Sequence, residues 1–468
     1  MIKSSTLLAV VILAVFLTHI GQAAEAVRPN FVVIVTDDQR YDMLGCTGHP
    51  VLKTPHIDRL GREGMLFRNF FDATPLCSPS RACYLTGLYA HRHGVTNNDR
   101  VGLDIISHTL MTFPRRLREK GYETAFLGKW HMGGDDSRRP GFDRWLSFRG
   151  QGVYLDSVVN DDGVVRQLDG YMTDYLNQQA VDFVRRPRKK PFCLVVAHKA
   201  VHVPYLPAPR HEKLYTDYHF RPPKPPADDL ASKPVMQRRP TRKAWYELEG
   251  VAPEPAEPRR GRGSDPASVV RDQLRCLTAI DEGVGRLLNA LERTGQLDRT
   301  FICYTSDNGY LMGEHGQMDA KRWAYDESVR VPLLVRYPAL IKPGMVCDRL
   351  TVNVDLAPTI LEIAGVKSVT PKHGQSLVPL FRDPAAAGRS AVLTEYFLEK
   401  VAPKVPSWQA VRSVRWKYIH YTENGDWDEL YDLQKDPHEI HNLARDAAAA
   451  EPLAAMKREL QWLRDATR

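Results

Sequence analysis

Four short apolar runs along the chain stop abruptly in charged or imidazole side chains: NFVVIVTDD (30–38), TAFLGKWH (124–131), FCLVVAHKAVH (192–202) and TFICYTSDNG (300–309). Runs of this length, rich in β-branched and aromatic residues, predict buried strands of an α/β sheet, because a strand covered on both faces needs no polar alternation. The stretch ASVVRDQLRCLTAIDEGVGRLLNALERTG has apolar residues at helical spacing and stops at Gly295. It predicts one long amphipathic helix feeding the strand at 300. Sheets of this kind bind ligands beyond the carboxyl ends of their strands, and those ends are where the charged groups fall.

Two shifts in pattern divide the chain. Between about Leu206 and Pro266 the composition turns to Pro, Arg, Lys and acidic residues, which predicts an irregular insertion, either a surface loop near the site or a partly disordered excursion. Beyond FRDPAAAGRS (381–390), the segments SAVLTEYF, WQAVRSVRWKYIHY and ELYDLQKDP read as short antiparallel strands followed by a helical end. The expected fold class is α/β: a large mixed, mostly parallel sheet sandwiched by helices, over 27–385, with a smaller C-terminal antiparallel-sheet subdomain over 386–468. Residues 1–26 read as a secretory signal peptide, with a basic start at Lys3, an apolar core, and Ala24 and Ala26 around a cleavage site. That core is shorter than the roughly 20 residues of a bilayer span. Export is therefore expected, to a periplasm or the exterior, without a stable membrane anchor.

Charge and cysteine content narrow the partners. Lys and Arg exceed Asp and Glu by 8, which in an exported protein fits an anionic partner such as an acidic polysaccharide and equally fits a charge that serves only solubility. The basic residues are dispersed and no binding module is recognisable, which argues against nucleic acid. Seven scattered cysteines cannot form a disulfide scaffold, and the odd number leaves at least one unpaired or modified. Cys193 and Cys303 lie inside apolar runs and are expected to be plain buried residues.

The strand ends supply candidate chemistry. Asp37 and Asp38 at one end, with Asp307 and Asn308 at another, offer hard oxygen ligands of the kind Ca²⁺ or Mg²⁺ takes, and lack the set zinc prefers. Lys129 and His131, two apart on a predicted strand, should point to one side. A cation and an imidazole there disfavour each other unless an anion lies between them. His198 and Asp281 are expected to be structural. Lys321, in DAKRWAYDESVRVPLL, reads alone as a solvated surface lysine.

The segment CSPSRACYLTG (77–87) resembles the C-x-P-S-R-x-x-x-L-T-G signature of the type I sulfatases, the formylglycine-dependent members of the alkaline-phosphatase-like superfamily. VIVTDDQR, GKWH, H-x-P and SDNG recur in the family's order, and ELYDLQKDPHEIHNLA is similar to its usual ending. The resemblance implies that Cys77 is oxidised to formylglycine by a maturase that reads the segment while unfolded during export. It implies that Asp37, Asp38, Asp307 and Asn308 hold Ca²⁺, with Mg²⁺ possible, joined by an oxygen of hydrated residue 77. Arg81 and Lys129 would hold the diol, Asp307 would deprotonate it, and Lys129 and Lys321 would neutralise the sulfate oxygens. His202 would protonate the leaving oxygen, helped by Lys321, and His131 would take the proton of the second hydroxyl so that sulfate leaves. The family often has P-H-x-P where this chain has V-H-V-P, so the choice of His202 over His198 follows the H-x-P spacing. Cys83 is expected to be bystander packing.

Signal for the substrate is weaker. KRWAYDESVRVPLLVRYP and AHRHGVTNND look similar to carbohydrate sulfatases that act on 6-O-sulfated N-acetylglucosamine and related glycans. Asn97, Asn98 and Asp99 are candidates to bind sugar hydroxyls, and His373 to line an outer subsite. Trp416 is expected rather to pack the C-terminal sheet. The leading expectation is a carbohydrate sulfatase. A phosphonate or phosphate ester hydrolase of the same superfamily and a non-catalytic glycan-binding relative are the alternatives.

Overall fold

The four apolar runs form the strands Asn30–Thr36, Glu123–Gly128, Phe192–Ala197 and Thr300–Ser306 in a computed structural model of the chain, which describes residues 28–98, 102–221, 230–237, 265–367 and 373–468. The expected signal peptide and most of the expected insertion lie outside the described residues. The four strands are neighbours and mutually parallel, with Asn30–Thr36 between Thr300–Ser306 and Phe192–Ala197. Thr36 stands opposite Ser306, Val35 opposite Ala197, and Ala197 opposite Gly128. Their carboxyl ends therefore open along one edge.

Ten strands make up this sheet, in the order Met345–Cys347, Met65–Phe67, Leu333–Arg336, Thr300–Ser306, Asn30–Thr36, Phe192–Ala197, Glu123–Gly128, Arg144–Ser147, Val158–Asp161, Val164–Gln167. Its flanks contain antiparallel pairs, around Leu333–Arg336 on one side and the Val158–Asp161 hairpin on the other. Alternate residues of the central strand enter two different cores. Val32 and Ile34 pack with Leu176 and Leu277 from the helices Met172–Arg185 and Pro266–Arg293. Phe31, Val33 and Val35 pack with Leu85, Leu117 and Ile360 from Cys77–Thr86, Phe113–Glu119 and Leu356–Ile363. With both faces covered, the strand has no need of polar positions.

The long helix is present as Pro266–Arg293, its start fixed by Asp265, whose side chain accepts from Ser268 N at 3.0 Å. Gly283 allows it to lie close to Met172–Arg185, since a Cβ there would meet the Asn177 carboxamide at 2.0 Å. Asp281 is structural. Its Oδ1 accepts from His56 N and Ile57 N at 3.0 and 2.8 Å, satisfying donors that the helix Pro55–Arg62 leaves open at its start.

Burial pushes the Asp281 carboxyl up to about 7, against about 4 in an unfolded chain. Between those values the folded state keeps a proton that the unfolded chain has released, so stability from this group falls as pH rises across the window. Asp281→Asn keeps the acceptor without the proton and is expected to flatten that slope, whereas Asp281→Ala loses the cap at a cost of about 1 kcal/mol. Urea melts of wild type and both variants at about pH 4.5 and 7.5 check this; identical slopes in wild type and the Asn variant would exclude it.

The C-terminal sheet has four antiparallel strands, Ala391–Tyr396, Trp408–Ser413, Trp416–Tyr421 and Glu429–Asp432. WQAVRSVRWKYIHY is thus a hairpin of two strands. The helix Ala450–Ala466 covers the sheet through Met456, Leu460 and Leu463, and Trp416 packs, half-buried, against the same cluster. Buried charges join sheet to core: Lys417 Nζ lies 2.9 Å from Asp326 Oδ1 and 2.7 Å from Glu439 Oε1. Among the described residues no helix is long and apolar enough to cross a membrane.

Candidate active site

Each central strand ends in an abrupt turn that delivers a side chain to one point. Asp38 and His131 adopt φ 63° and 57°, a region that costs a non-glycine residue on the order of 1–3 kcal/mol and persists only where the surroundings impose it. Lys129 and His131 do not share a strand as expected. The strand stops at Gly128, whose φ of 115° breaks the pleat, and Lys129 N is tied to Ala197 O at 2.8 Å. The two side chains converge through that turn rather than through strand alternation.

The helix Cys77–Thr86, buried along its whole length, places Cys77 and Arg81 one turn apart on the same face. Cys77 Sγ lies 2.9 Å from Lys321 Nζ, 3.6 Å from Asp37 Oδ1 and 3.7 Å from Lys129 Nζ. Lys321 is buried with its Nζ 2.5 Å from Asp38 Oδ1, so it is a site cation and not the surface lysine its local sequence suggested. Arg81 reaches Asp307 Oδ2 through Nε and Nη2 at 3.0 and 2.7 Å, Asp37 Oδ2 at 3.3 Å, and Lys129 O at 2.5 Å. Lys129 Nζ also pairs with Asp37 Oδ2. Asn308 Nδ2 donates to Asp38 Oδ1 at 2.6 Å, and Asp307 Oδ1 accepts from Asp38 N at 3.2 Å. His202 Nε2 stands 3.8 Å from Asp38 Oδ2, while its Nδ1 meets Val203 O at 2.8 Å. Since that carbonyl only accepts, Nδ1 carries the hydrogen and Nε2 faces the site bare.

Residues 29–366 match the Sulfatase family model, and residues 313–466 match the model described as N-sulphoglucosamine sulphohydrolase, C-terminal. The chain belongs to the sulfatase family. It is a sulfuric ester hydrolase. Among its relatives are the N-acetylglucosamine-6-O-sulfatase of Bacteroides thetaiotaomicron, 34% identical over 90% of this chain and 84% of that protein, and the human N-acetylglucosamine-6-sulfatase, 32% identical over 91% and 82%. A solved structure in complex with D-glucosamine-2-N,6-O-disulfate superimposes with a TM-score of 0.81 at 31% identity, covering 94% of this chain and 98% of its own.

The sulfatase gathers three carboxylates and three cations, all of them buried. Burial would raise Asp37, but the cations Lys129, Arg81 and Lys321 outweigh it and hold the group well below the usual range. Burial takes Asp38 up to about 6 against the pull of Lys321, with Asp37 and Asp307 adding to the rise. Burial and Asp37 raise Asp307 as well. Two carboxyls held above their ordinary range signal unmet demand for positive charge. Asp38 Oδ2 and Asn308 Oδ1 are also buried without a hydrogen-bond partner among the described residues. The Asp37, Asp38 and Asp307 oxygens lie within 4.8 Å of one another. Hard donors with unfilled valence at this spacing fit a divalent ion of the Ca²⁺ or Mg²⁺ type.

Position 77 is unsuited to thiol chemistry. Burial and Asp37 push the Cys77 thiol up to about 12, so it carries almost no thiolate at neutral pH. His131 and His202 are both held well below 6.5, by burial first and Lys129 second. Both imidazoles are therefore neutral.

The other expected residues fall differently. Asn98 is at the site's edge, its Oδ1 accepting from Ser78 N at 2.9 Å, and Asn97 precedes it, half-buried. Asp99 lies outside the described residues. His373 is 4% exposed, its Nδ1 accepts from Tyr89 N, and its ring stacks on His91. His198 is buried and pulled down to about 4 by that burial, and Cys83 packs with Sγ 3.3 Å from His93 Nε2. Gln151, absent from the sequence reading, accepts from Lys129 Nζ at 2.5 Å; its loop has no pattern that would have marked it.

Proposed function

We propose that this sulfatase removes the 6-O-sulfate of N-acetylglucosamine or its N-sulfated counterpart in a glycan, using a formylglycine made from Cys77 and a divalent cation, Ca²⁺ or Mg²⁺. The observation that carries the reading is the convergence on Cys77 Sγ, which stands where the oxidised side chain would project, of Lys321, Lys129 and Asp37. The relatives described above support the choice of sugar. Asp37, Asp38, Asp307 and Asn308 would hold the cation. When present, the cation supplies Lewis-acid activation, and formylglycine supplies a geminal diol whose second hydroxyl lets sulfate leave as the aldehyde reforms.

The chain's own groups divide the remaining work. Lys129 and Lys321 present ammonium hydrogens to the sulfate oxygens, where charge shifts as the ester bond breaks. Arg81 holds Asp307 and Asp37 in place, and Asp307, whose carboxyl burial and Asp37 raise, would take the first hydroxyl proton. His131, neutral for the reasons given, accepts the proton of the second hydroxyl. His202 keeps Nδ1–H on Val203 O, and its Nε2 gains a proton when a bound sulfate ester offsets Lys129 and Lys321; that proton passes to the departing sugar oxygen. We assign the enzyme to an exported compartment, periplasmic or secreted, with residue 77 oxidised before the chain folds.

Sulfate release from 6-sulfated N-acetylglucosamine, 6-sulfated galactose, 4-sulfated N-acetylgalactosamine and 2-sulfated uronate, with Cys77→Ala as control, tests the assignment. Release from the first substrate alone is expected, and none from the control. Release from another member would discard the substrate. Hydrolysis of an aryl phosphate faster than the aryl sulfate would discard the reaction.

A further inference from the structure

The loop that carries His202 is tied to the strand Asn30–Thr36 by its backbone. Asp37 N donates to Ala200 O at 3.0 Å, and Val201 N donates to Asp37 O at 2.8 Å. His202 N then donates to Lys199 O at 2.9 Å, closing a tight turn over residues 199–202. The Tyr154 hydroxyl, fully buried, donates to His202 O at 2.6 Å.

Beyond the turn, one carbonyl serves two side chains. Val203 O faces His202 Nδ1 at 2.8 Å and accepts from Lys199 Nζ at 3.2 Å. A carbonyl oxygen has two lone pairs, so both bonds are made together. Lys199 is 3% exposed, and its Nζ lies 5.0 Å from the centroid of the Tyr154 ring, within the range of a cation–π contact. An ammonium with so little access to water stays where protein groups meet it.

We propose that Lys199 is a positioning residue for the proton transfer that frees the sugar. By fixing Val203 O it keeps the His202 ring in the orientation that holds Nδ1–H on the carbonyl and turns Nε2 to the leaving oxygen. In that step the S–O bond to the sugar breaks and the sulfuryl group passes to the nucleophile of residue 77. The electron pair of the broken bond stays on the sugar oxygen, which takes the Nε2 proton. Tyr154 supports the same residue through its backbone. The proposal rests on the reading of His202 as the proton donor and adds what holds that donor in place.

The leaving group tests it, because a weakly basic phenolate departs without a proton and a sugar alkoxide needs one. Mature enzyme is assayed on 4-nitrophenyl sulfate and on the sulfated sugar it cleaves best among the four above, with the solvent deuterium isotope effect measured on the sugar ester. Lys199→Met keeps the stem and removes the ammonium. It is expected to lose about 10- to 100-fold on the sugar ester, chiefly in kcat and with a larger isotope effect, and less than about threefold on the aryl ester. Lys199→Arg should recover part of the loss, and Tyr154→Phe should show the same pattern more weakly. Thermal melts identify a variant that fails to fold; if Lys199→Met is one, the Tyr154→Phe pattern decides. Where wild type leaves the aryl ester intact, the isotope effect decides. An equal loss on both esters, an unchanged isotope effect, or no loss on the sugar ester overturns the proposal. His202→Gln checks the parent reading separately: a loss no greater on the sugar ester than on the aryl ester removes His202 as the donor, and cleavage of no sugar ester by enzyme carrying the aldehyde removes the reaction.

Discussion

Cys77→Ala is expected to lower sulfate release by on the order of 10⁴-fold or more while the protein stays folded, because it deletes the nucleophile and disturbs little else. Cys77 opens a helix, where alanine is the best tolerated residue. Neither the thiol, held up at about 12 by burial and Asp37, nor the aldehyde made from it carries a charge, so no buried charge is left unpaired. Cys77→Ser separates nucleophile from product release: a single hydroxyl accepts sulfate but has no second one to expel it, so at most one turnover is expected. Ion chromatography of released sulfate, thermal melts of each variant, and mass analysis of the peptide around residue 77 provide the readouts. Activity within tenfold of wild type in either variant would remove position 77 from the chemistry.

Arg81→Ala should show the largest loss of stability, about 3–5 kcal/mol, together with activity down by roughly 10³-fold. Arg81 is fully buried, and its guanidinium joins Asp307, Asp37 and the Lys129 carbonyl. Without it two carboxylates remain in a dry interior with only the lysines to offset them. Arg81→Lys returns the charge but not the fork, so it should regain more stability than activity. Chelator should deepen the defect of the alanine variant, since a bound divalent ion supplies part of the missing charge. Urea denaturation with and without chelator measures this, and a loss below about 1 kcal/mol would show that Arg81 is not what balances those carboxylates.

Much of this was legible from pattern. The strands at 30, 124, 192 and 300 are uninterrupted apolar runs because both faces are covered, and the polar residues that end each run mark the edge where the site forms. Lys321 was not legible from its local sequence, since DAKRW has the look of solvent, and its place in the site comes from distant partners, Asp38 and Cys77. Gln151 was invisible because its part comes from a contact with Lys129 across 22 residues of chain, and no local periodicity encodes such a meeting.

The span between Cys77 and Lys321, 244 residues, is also an interval of time. Ribosomes add about 5–20 residues per second, so roughly 12–50 s pass between the synthesis of the two side chains. Until the later one arrives, the cage that buries position 77 cannot close. If the aldehyde is installed on the open chain, as proposed, that delay is the working period of the oxidising enzyme. A host that outpaces its own maturase would then accumulate protein with a normal fold, a normal melt and a sealed, inert thiol.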